Sequence, residues 1–219
     1  MGRWPLERRR LAAIVMADVV GYSRLMEADE TGTLATLRER RKLTLEPTIR
    51  EYGGRIVKVM GDGVLVEFAS VVNAVNSALE LQRRMADSNN GVPEDRHIVL
   101  RIGINLGEVI GEGGDIYGDG VNIAARLESL AEPGGVCISG KVYEEVRGKL
   151  SLQFEDMGEQ TVKNIARPIS TFRLRLDSQT ASIDHPALIL PDKPSIAVLP
   201  FENLSGDSEQ DYFADGMVE

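Results

Sequence analysis

Asp18 nearly closes the run LAAIVMADVV, residues 11–20, whose other members read as a buried strand. An unpaired carboxylate in such a strand costs on the order of several kcal/mol, so this one calls for a partner or a task. Asp62 stands in the turn of KVMGDGVLVEF, residues 58–68. There Val57, Val59, Val64, Val66 and Phe68 supply strand character, and Gly61-Asp62-Gly63 supplies a tight turn. Two carboxylates with no other task suit Mg²⁺, which takes hard oxygen ligands, typically one or two carboxylates completed by water and phosphate. After Asp18, in DVVGYS, Gly21 and nearby backbone N–H groups opening a helix suit a phosphate chain. In DIYGDGVNIAAR, residues 115–126, Asn122 and Arg126 are four apart, so a helix puts both on one face. An amide beside a guanidinium can stabilise charge on a transferring phosphoryl group and hold a ribose. Asp115 stands just ahead, and Gly118 allows close backbone approach. Each feature also has a plain explanation. Turns favour Asp, exposed strand faces tolerate a Lys such as Lys58, and a surface Arg or a helix-start Asn is ordinary.

The elements that must hold these residues alternate. A strand over 11–20 precedes an amphipathic helical stretch carrying Leu34, Leu37, Leu45, Ile49 and Tyr52, with a kink expected at Pro47 and a stop at Gly53-Gly54. A hairpin over 55–69 and a helix over 71–87 follow. HIVLRIGINLGEVIGE reads as a second strand pair turning at Asn105-Leu106-Gly107. A helix from Gly118 to Leu130, a strand in GVCIS, a short helix at 140–147 and strands at 151–157, 160–164 and 169–176 complete the series. Helices mixed with hairpins predict an α+β domain, a mostly antiparallel sheet with helices packed on it.

The 219 residues are 42% hydrophobic and 27% charged, an ordinary soluble composition. Net charge −9 and a pI near 4.9 give no reason to expect a nucleic-acid partner. No apolar run reaches the ~20 residues of a membrane span. The single Cys137 and the lack of a secretory signal point to a cytoplasmic chain. Residues 1–10, with Arg8-Arg9-Arg10, read as a solvated lead-in to the domain at 11–176. Residues 177–194, rich in Ser, Asp and Pro, read as a linker, and 195–219 as the start of a truncated second domain.

Taken in order, ADVVGYS, GGRIVKVMGDGVLVEF, RIGINLGEV and DIYGDGVNIAARLE resemble the markers of the class III nucleotidyl cyclase catalytic domain, from about Ala12 to Leu176. The resemblance implies a ferredoxin-like palm core working as a head-to-tail homodimer with active sites at the subunit interface. It matches Asp18 and Asp62 to the two metal-binding aspartates, with Val19 grouped beside the first. Two Mg²⁺ (or Mn²⁺) ions per site are implied. Lys58 and Asp115 match the pair that selects the purine, Asn122 the ribose-orienting residue and Arg126 the transition-state arginine. Gly21 and Tyr22 fall at the phosphates, and Lys163 near a basic position for the triphosphate. The short segment from Gly107 to Asp115 suggests an abbreviated dimerisation arm.

Hydrogen-bond types then favour ATP. Lys is donor-only and carboxylate acceptor-only, so Lys58 suits adenine N1 and Asp115 the 6-amino group, whereas guanine reverses both. The expected activity is adenylate cyclase, ATP to 3′,5′-cyclic AMP and pyrophosphate. The alternative is a catalytically silent cyclase-like module that binds nucleotide and regulates a neighbour. A diguanylate cyclase, suggested by Gly113-Gly114-Asp115, is disfavoured because IYGDGVN leads into a helix instead. The tail KPSIAVLPFENLSG resembles the opening of a TolB-like segment.

Overall fold

The side chains from Ala12 to Ala17 are all buried, so this run has packed layers on both faces and must be a central strand. A computed structural model describes residues 8–161 and 168–175 of the chain. In it β1 (Arg8–Val19) lies antiparallel between β3 (Gly63–Phe68) and β4 (Leu100–Glu112). The strand starts three residues before the expected Leu11, because Arg8, Arg9 and Arg10 continue the ladder opposite Gly111, Ile110 and Val109. β2 (Arg55–Met60), β5 (Asp115–Tyr117), β6 (Val136–Ser139), β7 (Phe154–Gln160) and β8 (Ile169–Leu174) complete an eight-stranded sheet. Its order is β2-β3-β1-β4-β6-β8-β7, with β5 on β4. Only the β4–β6 pairing is parallel among the described strands, so the sheet is mostly antiparallel and the class is α+β, as expected.

Each face has its own helices. Ala13, Val15, Ala17 and Val19 pack with Ala74, Val75, Ala78, Leu81 and Met85 of α4, the helix Val71–Ser88. Ser70 caps that helix by accepting from the Asn73 N–H at 3.3 Å. On the opposite face Ala12, Ile14 and Met16 pack with Leu65 and with Ala124 of α5, the helix Asp119–Leu130. The remaining helices are α1 (Tyr22–Ala28), α2 (Glu30–Arg40), α3 (Glu46–Glu51) and α6 (Gly140–Val146). The stretch expected to kink at Pro47 widens just ahead of it. Arg41–Leu45 forms a π turn in which the Glu46 N–H donates to the Arg41 carbonyl. Pro47 has no N–H to offer the carbonyl four residues back, and the wider turn carries the helix past that gap.

The predicted strand pair around Asn105-Leu106-Gly107 is incorrect. β4 runs unbroken to Glu112, and the chain turns at Gly113-Gly114 into β5. What resembled a turn is the seat of α5. A Cβ at position 103 would lie 2.2 Å from the Glu128 nitrogen and 2.3 Å from the Ala124 carbonyl oxygen. At position 107 it would lie 3.1 Å from the Cα of Gly120. Between them Asn105, 2% exposed, donates its Nδ2 to the Gly120 carbonyl at 3.0 Å. Gly103→Ala is therefore expected to cost about 1–3 kcal/mol or more, because backbone cannot rotate out of the way as a side chain can. A urea midpoint equal to that of the parent protein would contradict this close seating.

The strand expected at 151–157 is shifted towards the C-terminus, and the one expected at 160–164 falls mostly outside the described residues. One strand, β7, spans Phe154–Gln160, with a register shift between Asp156 and Glu159 that takes up Met157 and Gly158. Residues 162–164, Lys163 among them, and the proposed segments 177–194 and 195–219 lie outside the described residues. Among the described residues no helix is long and apolar enough to cross a membrane.

Candidate active site on the α5 face

Asp18 continues the stripe of Ala12, Ile14 and Met16, which places it on the α5 face where β1 ends. The β2–β3 turn rests against it, since a Cβ at Gly63 would lie 3.2 Å from Asp18 Oδ1. That turn is two residues long, Gly61-Asp62 between the paired Met60 and Gly63, with Gly61 at φ 64°. It delivers the Asp62 carboxyl to hydrogen-bonding reach of Asp18. Burial first, then the charge and hydrogen bond of Asp62, push the Asp18 carboxyl above its usual range, while the Val19 N–H and the Arg101 charge oppose this. Val19 has its side chain in the core, 5% exposed, so only its backbone can serve a ligand.

Two residues not foreseen from the sequence complete this corner. Arg101 is directly opposite Asp18 in the β1–β4 register, and its Nε is buried without a hydrogen-bond partner. Glu128, whose backbone lies over Gly103, has its carboxyl pushed up by burial and then by the Asp18 charge. Glu128 lay in view two residues past Arg126, but Arg101 is visible only once the strand register is known. Two carboxylates held together against their mutual repulsion fit a divalent cation. Among the described residues no group of three His, Cys, Asp or Glu could hold a metal alone. Such an ion must draw further ligands from water or substrate, as Mg²⁺ commonly does.

Lys58 and Asp115, 57 residues apart, meet with Nζ to Oδ2 at 2.8 Å. A bulge makes this possible. Ile56 pairs with Val66 and Lys58 with Leu65, so Val57 is an extra residue in β2. Without it Lys58 would oppose Val64 and point to the α4 face; with it Lys58 shares the α5 face with Leu65. The other Asp115 oxygen accepts from the Ile116 N–H at 2.9 Å. Tyr117, an exposed aromatic on the same face of β5, holds its hydroxyl 3.5 Å from Oδ2. The hydrogen bond from Lys58 holds the Asp115 carboxyl below the usual range, and the same contact raises the Lys58 ammonium. Both therefore stay charged at neutral pH, one pure donor beside one pure acceptor.

Asn122 and Arg126 are exposed on α5, one turn apart. Gly21, with φ 66°, precedes α1, which Tyr22 opens. The structure thus joins Asp18 to Asp62 and Lys58 to Asp115, and it sets Asn122 and Arg126 as an outward pair on a helix fixed to the same sheet. These are the positions at which the sequence resembles the nucleotidyl cyclase catalytic domain. The family model described as the adenylate and guanylate cyclase catalytic domain matches residues 5–175, and the chain belongs to that family. It is 54% identical over 218 residues to the "Putative adenylate cyclase 3" of Rhizobium meliloti, covering 97% of this chain and 37% of that protein. The chain therefore spans little more than a third of that relative. The structure resembles the adenylate/guanylate cyclase/hydrolase from Silicibacter pomeroyi with a TM-score of 0.71 and 44% identity, covering 78% of this chain and 99% of the other. It also resembles the adenylyl cyclase CyaB from P. aeruginosa with a TM-score of 0.68 and 26% identity, over 78% and 96% of the two chains.

Proposed function

We propose that this domain is an adenylate cyclase that converts ATP to 3′,5′-cyclic AMP and pyrophosphate, working as a homodimer with its active sites at the subunit interface. The observation that carries the choice of nucleotide is the Lys58–Asp115 pair. An ammonium has three donors and a carboxylate about four acceptor positions, so the two can keep their mutual contact and still address a base. Lys58 then donates to adenine N1 and Asp115 accepts from the 6-amino group. Asn122 holds the ribose, and Arg126 stabilises charge on the α-phosphoryl group as the 3′-oxygen attacks it and pyrophosphate leaves. The backbone at Gly21 and Tyr22, with Lys163, binds the phosphate chain. Asp18 and Asp62, with the Val19 backbone, hold two Mg²⁺ or Mn²⁺ ions, which when bound supply polarisation of the α-phosphate and a lowered pKa of the 3′-hydroxyl. Asp18 and Asp62 come from one subunit, and Lys58, Asp115, Asn122 and Arg126 from the other. The relative from Rhizobium meliloti and the structure from P. aeruginosa carry adenylate cyclase names, which agrees with this choice.

Incubation with ATP or GTP and Mg²⁺ or Mn²⁺, followed by assay of the cyclic product, tests the proposal. A site whose donor and acceptor match one base edge leaves both mispaired against the reversed pattern, so ATP should be favoured about tenfold or more in kcat/KM. Lys58→Glu combined with Asp115→Cys should erode that preference. Equal use of ATP and GTP by the parent protein would refute the adenine assignment.

A further inference from the structure

Lys58 and Asp115 stand on strands that are not neighbours in the sheet, β2 at its edge and β5 beyond β4. Asp115 is also carried by a short arm. β5 has three register pairs with β4, and the turn before it, Gly113-Gly114, is exposed and has both residues at positive φ. Glycines so placed leave the turn a wide choice of conformations. One side chain joins the arm to the strand of Lys58. Arg55, three residues before Lys58, donates its Nη1 to the Gly114 carbonyl at 2.8 Å, immediately ahead of Asp115. Its Nε donates to Glu67 Oε1 at 2.8 Å. The second oxygen of Glu67 accepts from Arg10 Nη2 at 2.5 Å. Glu67 is directly opposite Arg55 in the register, with its side chain only 12% exposed. Burial pushes the Glu67 carboxyl up, but the two guanidinium groups outweigh it and hold it below its usual range, so the anchor stays charged. Arg55 is thus clamped at one end on β3 and grips the arm at the other.

We infer that Arg55, oriented by Glu67, is a positioning residue that fixes Asp115 against Lys58 and so sets how sharply this domain distinguishes adenine from guanine. The inference rests on the adenine assignment given above. An ion pair whose cation is half exposed contributes little to stability, so the clamp serves placement more than folding. Misplacement by about 1 Å can cost up to about a hundredfold, and a loosened arm should show a part of that.

The test compares the parent with Arg55→Ala, Arg55→Lys and Glu67→Gln. Steady-state kinetics with ATP and GTP is paired with titration of 3′-deoxy-ATP and 3′-deoxy-GTP, which lack the attacking hydroxyl and report binding without turnover. For Arg55→Ala the ATP:GTP ratio and the 3′-deoxy-ATP affinity are each expected to fall by about three- to tenfold, with the loss in KM more than in kcat. Glu67→Gln should shift both in the same direction by less. Arg55→Lys, which keeps a donor for Gly114 but not the fork to Glu67, should recover part of the loss. The urea midpoints should stay close to that of the parent. A parent that prefers adenine nucleotides together with an Arg55→Ala variant of unchanged ratio and affinity would overturn the clamp and leave the adenine assignment intact. A parent that prefers neither in either assay would instead overturn the adenine assignment itself.

Discussion

Asp62→Ala is expected to remove cyclase turnover and leave the domain folded. Asp62 lies in a two-residue turn between Met60 and Gly63 and takes no part in the apolar clusters on either face. Truncating a turn side chain of this kind changes stability by about 0.5 kcal/mol or less. The variant even relieves a repulsion, because Asp18 no longer faces a second carboxylate and can lose its proton more easily. Catalysis is affected quite differently. Charge stabilisation by bound metal is worth several kcal/mol, and each 1.36 kcal/mol is a factor of ten, so the loss should be on the order of 10³-fold. Circular dichroism and a urea midpoint check the fold, and cyclic product formation with Mg²⁺ or Mn²⁺ checks the rate. A folded variant that still turned over near the parent rate would show that Asp62 holds no metal needed for the reaction.

Mixing two dead variants should restore about a quarter of the parent activity. Asp18→Asn damages the carboxylate corner, and Arg126→Ala damages the outward face of α5. If each active site draws these groups from different subunits, both sites of either homodimer lack something essential. A heterodimer concentrates both lesions in one site and leaves the other whole. Random pairing puts about half of the subunit pairs in mixed dimers, each with one working site of two, hence about a quarter. Because the signal depends on assembly, it should vary nonlinearly with protein concentration when the dimer is weak. Co-expression, or mixing when dilute followed by concentration, allows the subunits to exchange. Mixtures as inactive as their parts, in samples where heterodimers are demonstrated by size or tag, would place all of these residues within one chain.

The α+β class was legible in the sequence, and so were the side chains that the structure pairs on the α5 face; the contacts that place them were less so. Asp18, Asp62, Lys58, Asp115, Asn122 and Arg126 stood out because each breaks its local pattern or shares a helical face, which needs only neighbours in the chain. Residues defined by partners distant in sequence did not stand out. The bulge at Val57 leaves no mark in a run of alternating side chains, yet it decides which face Lys58 takes. Gly103, Asn105 and Gly107 have the composition of a turn, and only the helix pressed on them shows that they form a seat. Arg55 and Glu67 read as ordinary strand-surface charges until the arm is in place. Pro47 did signal a disturbance in its helix, and a wider turn stands just ahead of it.

The glycine seat also limits how such a domain can be controlled. At Gly103 and Gly107 helix backbone lies on strand backbone with no side chain between them, so at these two points α5 has little room to slide or tilt. Asn122 and Arg126 are thereby tied to the sheet, and moving their helix alone means breaking that seat. When two such domains must meet to complete a site, the adjustable quantities lie between the domains: how often they meet, at what angle, and how tightly adjoining segments tether them. A regulator of such a domain would act as a matchmaker of subunits, setting output through encounter and alignment while the machinery inside each stays fixed.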